Sequence, residues 1–251
     1  MHVLDIIVLV LIGFLAVIGA GKGFTKTVFG VVATILAVVV ASLLASEVGK
    51  IFYSLSIAGP TWGKSIADGF YSSLSQSGSA FTQVPEGGYT SQNVSSLLQE
   101  AGIPAILSNL IAPTLSQSLV GYGEIALVDV VAPILANFVL TAFAFVLLYV
   151  IVWSVVNAMA KSLTKAINSF SLAKSIDSLL GLALGAIKGV LIVWVALTLC
   201  SLFTFIPGMN EFIQGTSVVK WLSDNNLIAL LVNSGFDVKG AVEQVLNGTT
   251  V

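Results

Sequence analysis

Arginine is absent from the sequence, and all ten basic residues are lysines. Bidentate binding of phosphate or carboxylate groups depends on the planar guanidinium of arginine. Its absence argues against recognition of nucleotides or nucleic acids. The formal net charge of −2 provides no basic surface for a polyanion either. We therefore expect no nucleic-acid partner.

Cysteine and histidine are equally scarce, with one of each, Cys200 and His2. A single cysteine excludes an internal disulfide and a cysteine metal cluster. A lone histidine cannot form a metal site by itself. No combination of nucleophile, base and orienting group is recognisable in the sequence. We expect no metal, no cofactor and no catalytic residues, and hence a protein that is not an enzyme.

Charged residues make up only 9% of the chain, whereas 57% of it is hydrophobic. An ordinary soluble domain is about 25% charged. A soluble chain with so few charges could not cover its surface with polar groups. A lipid bilayer removes that requirement, because lipid faces apolar side chains. The composition therefore predicts an integral membrane protein with the bilayer as a partner.

Four apolar runs have the length that a membrane-spanning helix needs, about 20 residues. Each run must be helical, because the bilayer interior offers no partner for open backbone groups. The runs cover residues 6–20, 28–45, 130–156 and 179–206. The first does not resemble a signal peptide, since Asp5 stands where a positive residue is expected. We predict an all-α membrane protein whose four transmembrane helices form two antiparallel hairpins.

The polar segments between these runs set the predicted organisation. Residues 1–45 form the first hairpin, 46–124 an extracytoplasmic loop region, 125–206 the second hairpin and 207–251 an extracytoplasmic tail. The loop region and the tail contain breakers such as Gly59-Pro60, and also short amphipathic stretches. We expect short amphipathic helices at residues 95–110, 221–222 and 227–232. A loop of about twenty residues, 157–177, is expected within the second hairpin.

The lysines indicate the orientation. Short lysine-rich loops stay in the cytoplasm, and the turns inside the two hairpins are such loops. The loop region carries two lysines against five acidic residues, and the tail two against four. Both are therefore expected outside, with both termini outside. The residues predicted to act as cytoplasmic anchors are Lys22, Lys26, Lys161, Lys165 and Lys174.

Glycines recur every four residues at the start of the last run, at Gly181, Gly185 and Gly189. This spacing places them on one helix face, where small residues let two helix backbones approach closely. The face is suited either to packing within the chain, against the partner hairpin, or to self-association of two copies. We favour packing within the chain.

A shorter version of the pattern ends the first run, as Gly19-Ala-Gly-Lys-Gly23. It matches Gly185-Ala-Ile-Lys-Gly189 in four of five positions, which suggests two related hairpins in parallel orientation, as some transporters show. Chance similarity is the alternative, because these residues are common at membrane helix ends. The segment is not a phosphate-binding loop, since Gly21-Lys22 is followed by glycine rather than Ser or Thr.

Ionisable residues within or beside the spans are candidates for function. Asp5 is expected at the outer end of the first span, where an exposed acid costs little. Lys188 lies deep in the bilayer if the fourth helix enters at Leu179. It reaches the headgroups if the helix enters near Lys188 itself, which we favour. In the first case Asp177 and Lys188 would be partners along a polar path.

The pattern Asp5-Ile-Ile followed by Gly19-Ala-Gly-Lys-Gly-Phe24 resembles the opening of the colicin V production protein family. The segment Ile176-Asp177 through Gly181, Gly185 and Lys188-Gly189 resembles the pattern in that family's last span. The resemblance covers the four spans and their inner turns, but not most of residues 46–124 or the tail after Pro207. Where the family usually has arginines in its turns, this chain has lysines.

This resemblance implies a multi-pass protein of the bacterial cytoplasmic membrane. It implies a role in bacteriocin or toxin production or export and in envelope homeostasis. Our first hypothesis is a non-enzymatic helical bundle that presents its outer acidic region to an unknown envelope protein. The family has no established catalytic residues to carry over. A small transporter or channel, assembled as an oligomer, is the alternative function.

Overall fold

Helices are the only regular elements in the part of the chain that the computed structural model describes. That part comprises residues 3–56, 59–77, 81–83, 88–101, 103, 105–119, 125–166, 174–202, 216–228, 240, 242, 243 and 245. Its helices are α1 (Val3–Lys22), α2 (Phe24–Ser54), α3 (Trp62–Ser77), α4 (Ser91–Glu100), α5 (Ala105–Ser118), α6 (Leu127–Ala166), α7 (Lys174–Leu202) and α8 (Ser217–Asp224).

Four of these helices have the length and apolar composition to cross a membrane. The candidate spans are Val3–Lys22, Phe24–Ser54, Leu127–Met159 and Ser175–Cys200. The prediction of an all-α protein with four spanning helices is confirmed, and the architecture is that of a multi-pass membrane protein. The arrangement of the spans as two hairpins stays a prediction, as do the four domain boundaries.

The helices extend further than the apolar runs predicted. α2 continues to Ser54, and α6 continues to Ala166 through half of the predicted loop at 157–177. Once a helix is nucleated, each further residue adds a backbone hydrogen bond whether or not its side chain is apolar. Residues 157–166 also contain Ala, Met, Leu and Lys, which are good helix formers. The end of the fourth run, 203–206, lies outside the described residues.

The described part of the loop region contains the end of α2 and three further helices. α4 and α5 cover much of the predicted helical stretch at 95–110, whereas α3 was not predicted. α4 begins with a capping box, in which Thr90 and Asn93 satisfy each other's backbone amides. In the tail, α8 includes the predicted Trp221-Leu222. Residues 229–232 of the other predicted stretch lie outside the described residues.

The described chain divides into two compact units. Unit 1 consists of Met1–Leu44, Phe145–Cys200 and Glu211–Ser234, and unit 2 of Ala45–Ala144, Ser201–Asn210 and Gly235–Val251. α2 and α6 therefore contribute residues to both units.

Unit 1 exposes large apolar side chains along all four of its long helices. An exposed apolar surface of this extent is costly in water, but lipid accommodates it. Examples that are about half exposed or more are Ile7, Val10, Phe14 and Val17 on α1, Leu43 on α2, Val150, Ile151 and Val155 on α6, and Leu179 and Ile187 on α7. These surfaces of unit 1 are suited to a lipid environment.

Unit 2 instead buries its apolar side chains against one another. Val94 and Leu98 of α4 and Ile111 and Leu115 of α5 are fully buried. The first turns of α6, with Leu127, Val128, Val130 and Val131, are buried in the same unit. A helix that is apolar on all sides belongs either in a protein core or in a membrane. The run at 130–156, predicted as one span, lies within the candidate span Leu127–Met159, and many side chains of its first half are buried in unit 2.

Candidate functional site

Glycines bring the backbones of α1 and α7 into direct contact within unit 1. A Cβ atom added to Gly185 would lie 2.5 Å from the carbonyl oxygen of Leu15 and 2.9 Å from Cα of Ala16. One added to Gly189 would lie 3.0 Å from Cα of Ile12. Because the neighbouring atoms belong to the backbone, they cannot rotate away as a flexible side chain can. The α1–α7 contact therefore requires glycine.

The same contact includes the glycines near the C-terminal end of α1. A Cβ atom on Gly19 would overlap the carbonyl oxygen of Gly181 and lie 2.8 Å from Cα of Gly185. The register, in which Gly19 meets Gly181 and Ile12 meets Gly189, makes α1 antiparallel to α7. These glycines thus pack within the chain, and self-association through the same faces stays a prediction. The two similar glycine patterns contact each other, so mutual packing accounts for them without an internal repeat.

A carboxylate from α7 supports the turn between α1 and α2. Asp177 accepts a hydrogen bond from the backbone amide of Phe24, at 2.9 Å, at the first residue of α2. A negative charge at this position satisfies an open amide and opposes the positive end of the helix dipole. Gly23, with φ +78°, provides the left-handed conformation of the turn, and its missing side chain makes room for Asp177. Thr27 Oγ1 donates to the Gly23 carbonyl at 2.7 Å.

Lys188 lies inside the candidate span Ser175–Cys200, since α7 begins at Lys174 rather than near Lys188. Its side chain is half-buried. The ammonium nitrogen lies 5.9 Å from the ring centroid of Trp153 on α6. It also lies 3.0 Å from the position of a Cβ atom on Gly30 of α2. Together with the contact between Gly23 and Asp177, this places α2 beside α7 in the same direction.

Asp177 and Lys188 are not partners. Eleven residues along one helix separate them by about 16 Å. The ion pair found among the described residues joins Lys50 and Glu47, at 2.8 Å, and involves neither Asp177 nor Lys188. The prediction that Asp177 and Lys188 line a common polar path therefore has no direct contact to support it.

Further polar groups lie beside Lys188. Thr34, one turn beyond Gly30 on α2, donates from Oγ1 to the Gly30 carbonyl at 3.0 Å. The Tyr149 hydroxyl, one turn from Trp153 on α6, lies near the Thr34 side chain. Trp153 Nε1 is buried and has no hydrogen-bond partner within the described chain. Gly30 and Thr34 were not predicted from the sequence, although Gly30 follows Gly23 by seven residues, about two helical turns.

Asp5 differs from its prediction as an exposed acid at the membrane surface, because its side chain is only 2% exposed. Its Oδ1 accepts hydrogen bonds from the backbone amides of Val218 and Val219, at 3.0 and 3.2 Å. These amides are at the N-terminal end of α8. The carboxylate therefore caps a helix more than 200 residues away, while the side chain of Thr216, the residue before that helix, makes no capping bond.

A second polar contact holds the end of α8 on α7. The side-chain amide of Asn226 donates to the Trp194 carbonyl at 3.0 Å and to Thr198 Oγ1 at 2.9 Å. Its Oδ1 accepts from the amide of Ile228. Val219, Leu222 and Ile228 are buried, whereas Trp221 is 62% exposed. α8 is thus fixed to α1 through Asp5 and to α7 through Asn226. Asn226 was not predicted from the sequence.

The predicted cytoplasmic anchors are described only in part. Lys22 and Lys26 flank the turn at Gly23, and both side chains are exposed. Lys161 and Lys165 are on the last turns of α6, and Lys174 begins α7. The side chains of these three lysines lie outside the described residues.

Comparison with known families gives a match over most of the chain. The model of the family described as "Colicin V production protein" matches residues 4–76 and 103–227. The match extends beyond the spans and inner turns, into the loop region and past Pro207, so the predicted limits of the resemblance were too narrow. No curated protein and no solved structure matches the chain. Because the matched ranges include α1, α2, α6, α7 and α8 and most of the sequence, the chain belongs to the colicin V production protein family.

Proposed function

We propose that this protein is a non-enzymatic component of the bacterial cytoplasmic membrane that acts in bacteriocin or toxin production or export and in envelope homeostasis. The family match across the spanning helices carries this proposal. The family is not known as an enzyme family. In the described part of the chain, Asp177 caps α2, and Gly181 and Gly185 let α7 pack against α1. Lys188 carries a positive charge.

The two units suggest different roles. Unit 1 exposes apolar side chains suited to lipid, and its helices α1 and α7 are in direct backbone contact at their glycines. Unit 2 has its own buried core, as a water-facing domain does. We propose that unit 2, with its acidic loop region, presents a surface to an envelope protein. Lys22 and Lys26 of unit 1 would bind anionic lipid, at about 1 kcal/mol for each lysine.

The role in production can be tested by complementation in a bacteriocin-producing strain that lacks the gene. Wild-type protein and Gly13→Leu are expected to restore bacteriocin release and resistance of the envelope to detergent. Gly185→Leu is expected to restore neither, because it separates α1 from α7, whereas a side chain on Gly13 meets no atom within 4 Å. Release and detergent resistance in the deletion strain equal to those of its parent would contradict the role.

The orientation can be tested by cysteine labelling in intact cells. In a Cys200→Ser background, an impermeant thiol reagent is expected to modify Ser72→Cys in α3 and to leave Lys26→Cys unmodified until the cells are opened. Both positions are exposed in the structure, so a difference in labelling reports the side of the membrane. Labelling of Lys26→Cys in intact cells would reverse the proposed topology.

A transporter or channel is the second candidate, and the polar cluster within the spans favours it. Lys188, Tyr149 and Thr34 lie on three adjacent spanning helices, and ionisable groups within a membrane commonly mark transport paths. Solute flux in liposomes containing the purified protein separates the two functions. A solute flux that falls in Lys188→Gln or Asp177→Asn would favour transport. If neither substitution changes the flux, or if there is no flux, the non-enzymatic role is favoured.

A further inference from the structure

Lys188 is a cation inside a spanning helix, and no carboxylate neutralises it within the described part of the chain. A charge that is partly removed from water is costly unless it is paired. The Trp153 ring lies below the ammonium group, but at 5.9 Å from the centroid it offers only a weak cation–π contact. The arrangement therefore has an unbalanced positive charge.

A second cation increases this imbalance. Lys22 lies within electrostatic range of Lys188 and repels it. Lys22 is exposed and Lys188 is half-buried, and two ammonium groups that repel each other are stabilised when an anion lies between them. The nearest described acidic side chain on the same helix, Asp177, is engaged with the amide of Phe24 instead.

Two further features fit an anion at this position. Gly30 has no side chain, and this lets the ammonium group of Lys188 pack closely against α2, 3.0 Å from the position of an added Cβ atom. Trp153 Nε1 is a buried donor without an acceptor in the described chain, and such a donor is costly until it is satisfied. Lysines and an indole N–H together offer donors of the kind that bind phosphate oxygens.

We propose that Lys188, which packs against Gly30, forms a binding site for a phosphate group together with Lys22 and Trp153. The phosphate of an anionic phospholipid is one source, because lipid surrounds the spanning helices. Free inorganic phosphate is the other. The site is independent of the proposed role in bacteriocin production, since it requires only the unit 1 contacts.

Native mass spectrometry of the full chain in detergent tests the site. Phosphatidylglycerol is expected to stay bound at lower concentration than phosphatidylcholine with the same acyl chains. Lys188→Gln is expected to weaken phosphatidylglycerol binding about tenfold, as loss of a charged hydrogen bond implies. Lys22→Gln and Trp153→Phe, which keeps the ring and removes the N–H group, are expected to weaken it less.

The control is Lys50→Gln, since Lys50 is paired with Glu47 at 2.8 Å and lies in the other unit. It removes the same charge and is expected to leave lipid retention unchanged. Displacement of phosphatidylglycerol by inorganic phosphate would assign the site to free phosphate, and resistance to it would assign the site to lipid. Equal retention of the two lipids without phosphate binding, or equal retention by wild type and Lys188→Gln, would overturn the proposal.

Discussion

Leucine in place of Gly185 is expected to destabilise the membrane bundle more than any other single change considered. The first atom of the new side chain would lie 2.5 Å from the Leu15 carbonyl oxygen and 2.9 Å from Cα of Ala16. Accommodation requires α1 and α7 to move apart, which also breaks the contact of Gly19 with Gly181. Overpacking of a tight interface costs about 1–3 kcal/mol, and we expect at least the upper value where backbone meets backbone.

Thermal unfolding of the detergent-purified protein measures this effect, with a fluorescent fusion reporting the fraction that remains monodisperse. A loss of about 3 kcal/mol corresponds to a fall in Tm on the order of 10 °C for a chain of this size. The Tm of Gly185→Ala is expected to lie between those of the wild type and Gly185→Leu, since alanine adds only the overlapping methyl group. Gly13→Leu is the control on α1, because nothing lies within 4 Å of its added Cβ atom. If Gly185→Leu keeps its Tm, its membrane insertion and its oligomeric state, the glycine contact has no structural role.

The sequence could predict the spans and the glycine contact because both depend on local patterns. Apolar runs of spanning length have one stable conformation in lipid, and that fact alone predicts α1, α2, α6 and α7. The four-residue spacing of Gly181, Gly185 and Gly189 requires a close helix neighbour. The spacing does not indicate which helix packs against these glycines, and the structure identifies it as α1.

Burial could not be predicted where it depends on distant parts of the chain. Leu127 and Val131 have the same apolar character as residues facing lipid, yet they lie in the core of unit 2. Asp5 was expected to be exposed because an acid near a span end usually contacts water. It is buried because the amides of Val218 and Val219, on a helix far along the sequence, pair with it.

Removal of the Asp5 carboxylate is expected to release α8 from the bundle. α8 has eight residues, well below the roughly 12–15 at which an isolated helix becomes even marginally stable in water. It therefore depends on its contacts with α1 and α7. Asp5→Ala removes the acceptor for two backbone amides, and hydrogen bonds to a charged group contribute about 1.5–3 kcal/mol each. Asp5→Asn, which retains a neutral acceptor, is expected to give a smaller effect.

Trypsin cleavage after Lys220, which lies within α8, measures this release in the detergent-purified full-length protein. While α8 is docked, the backbone around Lys220 is helical and resists the protease. Cleavage tracks the open population when opening and closing are fast, so Asp5→Ala is expected to raise the rate about tenfold or more. Asp224→Asn is the matched control, because it neutralises an exposed acid in the same helix. Equal cleavage of Asp5→Ala and wild type would mean that Asn226 and the buried Val219 and Leu222 hold α8 without the carboxylate. An increase confined to Asp5 variants would show that one buried acid couples the first spanning helix to the C-terminal tail.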